Sequence, residues 1–203
     1  MRQSLFTTVV MLLWLALAGL ASPVAHAEEI DCTGFLGVVT VDNLRVPQNS
    51  SCTLDGTRML GTLKVEEGAT LNATRIEVVG NVQAEGAAAV NVSTNSTVGG
   101  SIQIEQGQAA HIENVRVNAD ILFDSNRESL FAISNTVGGN IQVFQNLGGV
   151  TISGNVIDGN LQCKQNTPAP TGGANVVHGS AEDQCENLDV TLTVRAYLSF
   201  ITR

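Results

Sequence analysis

Four cysteines, Cys32, Cys52, Cys163 and Cys185, are the residues of this 203-residue chain whose spacing most constrains their chemistry. Four cysteines admit three disulfide pairings. They do not resemble a four-thiolate metal site, which needs ligands in close pairs along the chain. Among carboxylates, Asp120 and Asp124 are the only close pair in the central region, and Glu105 and Arg127 flank them. Converging carboxylates are what cleavage of a glycosidic bond requires, as acid and base or as acid and nucleophile. Cation-binding acids beside a basic residue are the alternative arrangement. Along a strand and turn, four residues apart, Asp120 and Asp124 need not converge. His111 and His178 are far apart, so no Ser-His-Asp or Cys-His arrangement can be assembled. Neither a glycine-rich phosphate loop nor a metal-ligand cluster is present in the sequence, and no cofactor is expected.

The elements that would position these groups are read from a repeat. Gly80-Asn-Val-Gln-Ala, Gly100-Ser-Ile-Gln-Ile, Ala119-Asp-Ile-Leu-Phe, Gly139-Asn-Ile-Gln-Val, Gly159-Asn-Leu-Gln-Cys and Gly179-Ser-Ala-Glu-Asp start 20, 19, 20, 20 and 20 residues apart. A fixed period of this length marks a solenoid. Within each period, apolar residues alternate in pairs, as in Ile102/Ile104, Ala110/Ile112 and Val115/Val117. In a later period the pairs are Ile141/Val143, Val150/Ile152 and Val156/Ile157, the last with a shifted corner. Alternation at period two means short strands with one buried face. The fold class is therefore all-β, a parallel β-helix (β-solenoid) of about 20 residues per coil, right-handed by the rule for strand crossovers. The segment before Leu60 is less regular but alternates likewise at Val39/Val41, Leu44/Val46, Cys52/Leu54 and Thr57/Met59.

Stacking places residues one coil apart above one another. Cys32 and Cys52 are 20 apart and Cys163 and Cys185 are 22 apart. One coil of separation is close to what a disulfide demands, so Cys32–Cys52 and Cys163–Cys185 are expected, one near each end. Gln83, Gln103, Gln142 and Gln162 share one outward position, with Leu122 as the exception, and form the candidate binding surface. Asn81, Ser101, Asp120, Asn140 and Asn160 share another. Asn95, Asn114, Asn135, Asn155 and Asn175 recur four or five residues before the repeat glycine or Ala119. Asparagine suits left-handed corners, and stacked asparagines pass hydrogen bonds from coil to coil. This makes Asp120 a ladder position in the first instance. Glu105 and Asp124 are expected to be neighbours on adjacent coils, and Phe144 is expected to be the aromatic that faces outward from a strand.

Arg2, the apolar run Leu5 to Leu20 and Ala25-His26-Ala27 have the form of a secretory signal peptide cleaved after Ala27. Residues 28–185 would then be the β-helix domain and 186–203 a C-terminal cap or loose tail. The expectation is a secreted protein with no stable membrane anchor after cleavage. Loss of Arg2 takes the formal charge from −9 to −10, with Lys64 and Lys164 the only lysines. A surface so poor in clustered cations does not suit nucleic acid. Trp14 falls in the leader, so the remainder has few aromatics. An aliphatic solenoid core can do without them. Asn49, Asn72, Asn91 and Asn95 begin N-x-S/T sequons, which matter only for synthesis in a eukaryote.

The run Gly159-Asn-Leu-Gln-Cys-Lys-Gln-Asn-Thr-Pro-Ala-Pro-Thr-Gly-Gly, with Asn175-Val-Val-His-Gly-Ser, Glu182-Asp-Gln-Cys185 and Ser51-Cys-Thr-Leu-Asp-Gly-Thr-Arg, resembles a group of exported bacterial proteins with no assigned activity. The resemblance spans nearly all of Cys32 to Cys185 and implies a secreted β-helix. Gly61-Thr-Leu-Lys-Val-Glu-Glu-Gly-Ala-Thr-Leu and Gly80-Asn-Val-Gln-Ala resemble coils of the bactofilins, which implies self-assembly into a polymer. Three functions compete. The first is a non-catalytic structural protein that contacts a cell-surface polymer through the glutamine face. The second is a polysaccharide lyase or hydrolase using Asp120 and Asp124. The third is end-to-end self-association.

Overall fold

The computed structural model describes residues 28–190; the expected signal peptide and residues 191–203 lie outside the described residues. Between them the chain winds as a parallel β-solenoid with three faces. The first sheet has nine strands, from Glu29–Asp31 through Ile102–Glu105 and Ile121–Asp124 to Ala181–Asp183. The second has eight, from Phe35–Leu36 to Thr171–Gly173, and the third eight, from Thr40–Val41 to Val176–Val177. Each strand pairs only with the same face of the coils above and below, all in parallel. A single coil has no neighbour to hide its apolar side chains; the stack does, at about 4.8 Å per coil.

Alternation dictates the core. In the strand Ile102–Glu105 the burial pattern alternates, with Ile102 and Ile104 inside and Gln103 and Glu105 outside. Ala110, Ile112, Val115 and Val117 close the same coil. In the less regular opening segment Leu44, Val46, Cys52, Leu54, Thr57 and Met59 are buried, whereas in the expected pair Val39/Val41, on the first coil, Val39 is exposed and Val41 only partly buried. Burying one such aliphatic side chain contributes roughly 1.5–3 kcal/mol, and the column repeats it several times per coil.

Two further details differ from the pattern expected. Val156 faces solvent while Ile157 is buried, and the inward partner of Ile157 is Asn155. Phe144 does face outward, but Phe131 joins it, stacked 5.3 Å from the His111 ring on the coil below.

Both disulfides form as the period required. Cys32–Cys52 spans 5.5 Å between Cα atoms and Cys163–Cys185 spans 5.4 Å, the separation of two neighbouring coils. Past Cys185 the chain turns through a short 3-10 helix, Glu186–Leu188, which buries Leu188 against the last coil.

The repeat glycine answers a contact rather than a torsion. A Cβ on Gly159 would stand 2.7 Å from the carbonyl oxygen of Gly139 on the neighbouring coil. Backbone cannot retreat as a flexible side chain can. Gly159→Ala is therefore expected to destabilise the protein by about 1–3 kcal/mol in a urea titration, whereas an unchanged midpoint would mean that the coils approach less closely there.

Candidate functional site

Three asparagine-bearing ladders run through the stack, and they explain where polar side chains are free and where they are not. The first is at the repeat glycine. The backbone N–H of Ser101 donates to Asn81 Oδ1 at 2.8 Å, that of Asn140 to Asp120 Oδ1 at 2.7 Å, and that of Asn160 to Asn140 Oδ1 at 2.8 Å. Asp120 Oδ1 also accepts from Asn140 Nδ2 at 3.0 Å. Asp120 is thus occupied in holding the next coil.

The second ladder is internal. Asn135, Asn155 and Asn175 are buried, and each accepts at Oδ1 from the coil before it. Each Nδ2 donates to a core carbonyl: Asn135 to Ile112, Asn155 to Ala132, Asn175 to Ile152. Asn95 and Asn114 do not belong to it. They lie one position earlier, at φ 57° and 55°, in the left-handed corner also taken by Ser134 and Ala174. The grouping of all five asparagines in one series is corrected accordingly. Asn95 and Asn114 use the left-handed tolerance, and the other three carry hydrogen bonds.

The third ladder was not anticipated. Asn126, Asn146 and Asn166, buried at another corner, accept from Gly107, Asn126 and Asn146 N–H, and Gln184 caps the series on Asn166. Its sequence signal was the recurrence of Gln145-Asn146 as Gln165-Asn166 one coil on, each with the glutamine at positive φ. A left-handed residue turns the next side chain inward, where corner backbone groups lack partners.

On the outer surface of the first sheet the glutamines stack as expected. The column reads Lys64, Gln83, Gln103, Leu122, Gln142, Gln162, Glu182 in exact register partners. Gln83 Nε2 donates to Gln103 Oε1 at 3.3 Å, Gln142 to Gln162 at 3.1 Å, and Gln162 to Glu182 at 3.0 Å. Leu122 divides the column into two blocks. Beside it runs a second column, Glu85, Glu105, Asp124, Phe144, Lys164.

The upper block borders a groove of about 810 Å³, open to solvent, lined among others by Lys64, Gln83, Glu85, Gln103, Glu105 and Arg127. The corners beside it differ in length. Five positions take the chain from Glu105 to Ala110, but six take it from Asp124 to Leu130 on the next coil. Arg127 stands on this longer corner and lines the groove. At the far side Glu66 accepts from the Gln48 N–H at 3.1 Å and lies 3.6 Å from Arg45 and 3.8 Å from Lys64.

The acidic candidates are separated by this geometry. Asp120 and Asp124 sit at opposite ends of one strand stretch, roughly 13 Å apart along an extended chain. Glu105 and Asp124 are direct partners on adjacent coils, and Asp124 accepts from Ser125 Oγ at 2.8 Å. Asp31, bonded to Arg45 at 2.8 Å, is held below the usual aspartate value by that guanidinium. It ties the first two coils together and lies outside the groove. His178 pairs with Asp158 at 2.9 Å and His111 with Glu113 at 3.1 Å, each on its own face. Among the described residues no group of three or more His, Cys, Asp or Glu is arranged to hold a metal ion, and no helix is long and apolar enough to cross a membrane.

The fold and groove define a disulfide-stapled β-solenoid. No protein-family model, curated protein or solved structure matches the chain.

Proposed function

We propose that this protein is a secreted, non-catalytic β-solenoid whose glutamine-faced groove holds an extended polymer at a cell surface. The observation that carries this reading is the pair Gln83–Gln103 set along the groove on successive coils, with Gln142–Gln162 continuing the column beyond Leu122. An extended glycan presents hydroxyl groups at a comparable repeat, and a rigid ladder meets them without ordering cost. Each glutamine keeps donor or acceptor capacity beyond its bond to its neighbour. Export to an oxidising compartment accords with two disulfides and no free cysteine among the described residues.

The test replaces Gln103 and Gln142 by glutamate, which removes donors and adds charge without changing size. Pull-down on isolated wall material and on neutral glycans is expected to weaken at least tenfold, about 1.4 kcal/mol. Undiminished retention would remove the face from consideration.

Glu105 and Asp124, stacked beside the groove with Arg127 at its wall, favour one second reading, a polysaccharide-cleaving enzyme. Turnover of acidic or neutral glycans that disappears in Asp124→Asn or Asp120→Asn would replace the binding reading with that one.

A further inference from the structure

A smaller concavity of about 290 Å³ opens on the third sheet, away from the glutamine column on the first. Two rows of side chains line it, one residue of each row from each of three successive coils. Asn95, Asn114 and Ser134 form the corner row, in the left-handed region at φ 57°, 55° and 56°. Thr97, Arg116 and Thr136 form the strand row and are direct register partners. Between the rows Ser96, Val115 and Asn135 are buried, so alternation turns both rows outward.

Among the described residues, none of these six side chains makes a hydrogen bond or ion pair with the protein. That sets Arg116 apart from other arginines of the stack. Arg58, in the same column of the same sheet, meets Glu77 of the next coil at 3.4 Å, and Arg45 meets Asp31 at 2.8 Å. On both sides of Arg116 the register supplies a threonine where Arg58 has a carboxylate. The acids closest to it along the chain are engaged elsewhere: Glu113 with His111 at 3.1 Å on the second sheet, Asp120 with the Asn140 N–H at 2.7 Å. In a chain of formal charge −9, the hollow is therefore centred on an uncompensated cation.

The donor set fits one chemistry. A guanidinium presents a planar fork of N–H groups that matches two oxygens of a carboxylate, phosphate or sulfate. Coils about 4.8 Å apart put a threonine hydroxyl on each side of that fork. The Asn95 and Asn114 amides and the Ser134 hydroxyl add donors along the corner. A cationic ligand would be repelled here, and an apolar one would find no apolar wall.

We propose that this hollow is a binding site for an oxyanion, seated on Arg116 and flanked by Thr97 and Thr136.

An open site with one cation binds weakly, at dissociation constants of about 1 mM. The test is an NMR titration of the isolated protein, following the Arg116 Nε–H and the Thr97 and Thr136 amides, with inorganic phosphate, glucose 6-phosphate, glucuronate and uncharged glucose. The three anions are expected to shift these signals and glucose is not. Arg116→Gln should weaken anion binding at least tenfold and Thr136→Val about threefold, read on the remaining amides. Both side chains point outward, and circular dichroism verifies that the fold is kept. Lys164→Gln removes the same charge from the first sheet, where Lys164 likewise lacks an ion pair, and should change nothing. Tighter binding of glucose 6-phosphate than of inorganic phosphate would assign the seat to an anion borne on a sugar, and equal binding to the free ion; both uphold the site. Silence of these signals toward all three anions would overturn it. So would glucose binding as well as glucuronate, affinity undiminished by Arg116→Gln, or an equal loss in Lys164→Gln.

Discussion

Replacing Asn155 by alanine is expected to lower the free energy of unfolding by on the order of 3–5 kcal/mol. The side chain accepts from Asn135 N–H at 2.9 Å and from Asn135 Nδ2 at 3.0 Å. It donates to Ala132 O at 2.8 Å and to Asn175 Oδ1 at 2.9 Å. Alanine leaves at least one buried N–H and one buried carbonyl without partners, each costing about 1–3 kcal/mol, and adds a small void. Asn95→Ala, one register position earlier and exposed, loses only the ease of a left-handed backbone, about 1 kcal/mol. Chemical denaturation of the two variants side by side measures the contrast. Equal midpoints would remove the internal ladder from the structure, because nothing else distinguishes the two asparagines so sharply.

Loss of the staples is the second large effect. Cys32–Cys52 closes 20 residues and Cys163–Cys185 closes 22. In the chain-entropy account each is worth about 3 kcal/mol. Cys163→Ser with Cys185→Ser is expected to lower the free energy of unfolding by that amount and to expose the last coil to protease first, since the Leu188 closure hangs from Cys185. The Cys32 and Cys52 pair of substitutions should loosen the opposite end. Peptide mapping without reduction identifies the partners directly, and a Cys52–Cys163 peptide would contradict the stacking of the coils.

Much of this architecture could be read from residue types because a solenoid repeats its errors and its rules alike. The glycines, the glutamine column and the two disulfides are separated by whole coils, so their neighbours in space follow from subtraction. What escaped was orientation at the corners. Val156 and Ile157 were both assigned to the core because both are apolar, yet the corner before them places Asn155 inside and Val156 out. Asn126, Asn146 and Asn166 are polar yet buried, because backbone groups turned inward at a bend need such side chains to bond them. The register of the asparagines turns on one residue: Asn95 and Asn114 stand five residues before the repeat glycine or Ala119 and match Ser134, whereas Ser96 and Val115, four before it, match Asn135.

The groove was less accessible to reading than the columns that border it. Gln83, Gln103 and Glu105 were recognisable as outward positions, and Glu105 beside Asp124 followed from the period. The concavity also draws on corner residues such as Gly86, Gly107 and Arg127, and residue counting at corners does not say how far a corner stands out from the stack.

The asparagine ladders carry a last consequence, for how this molecule can change in size. In the glycine-side ladder each oxygen receives from the storey after it, and in the two interior ladders from the storey before it. Every floor in the regular half is thereby keyed to both of its neighbours. Removing or adding part of a floor would leave donors facing donors, while a whole floor can be lost or duplicated with each key still meeting its lock. The length of this rod is free to vary only in complete turns.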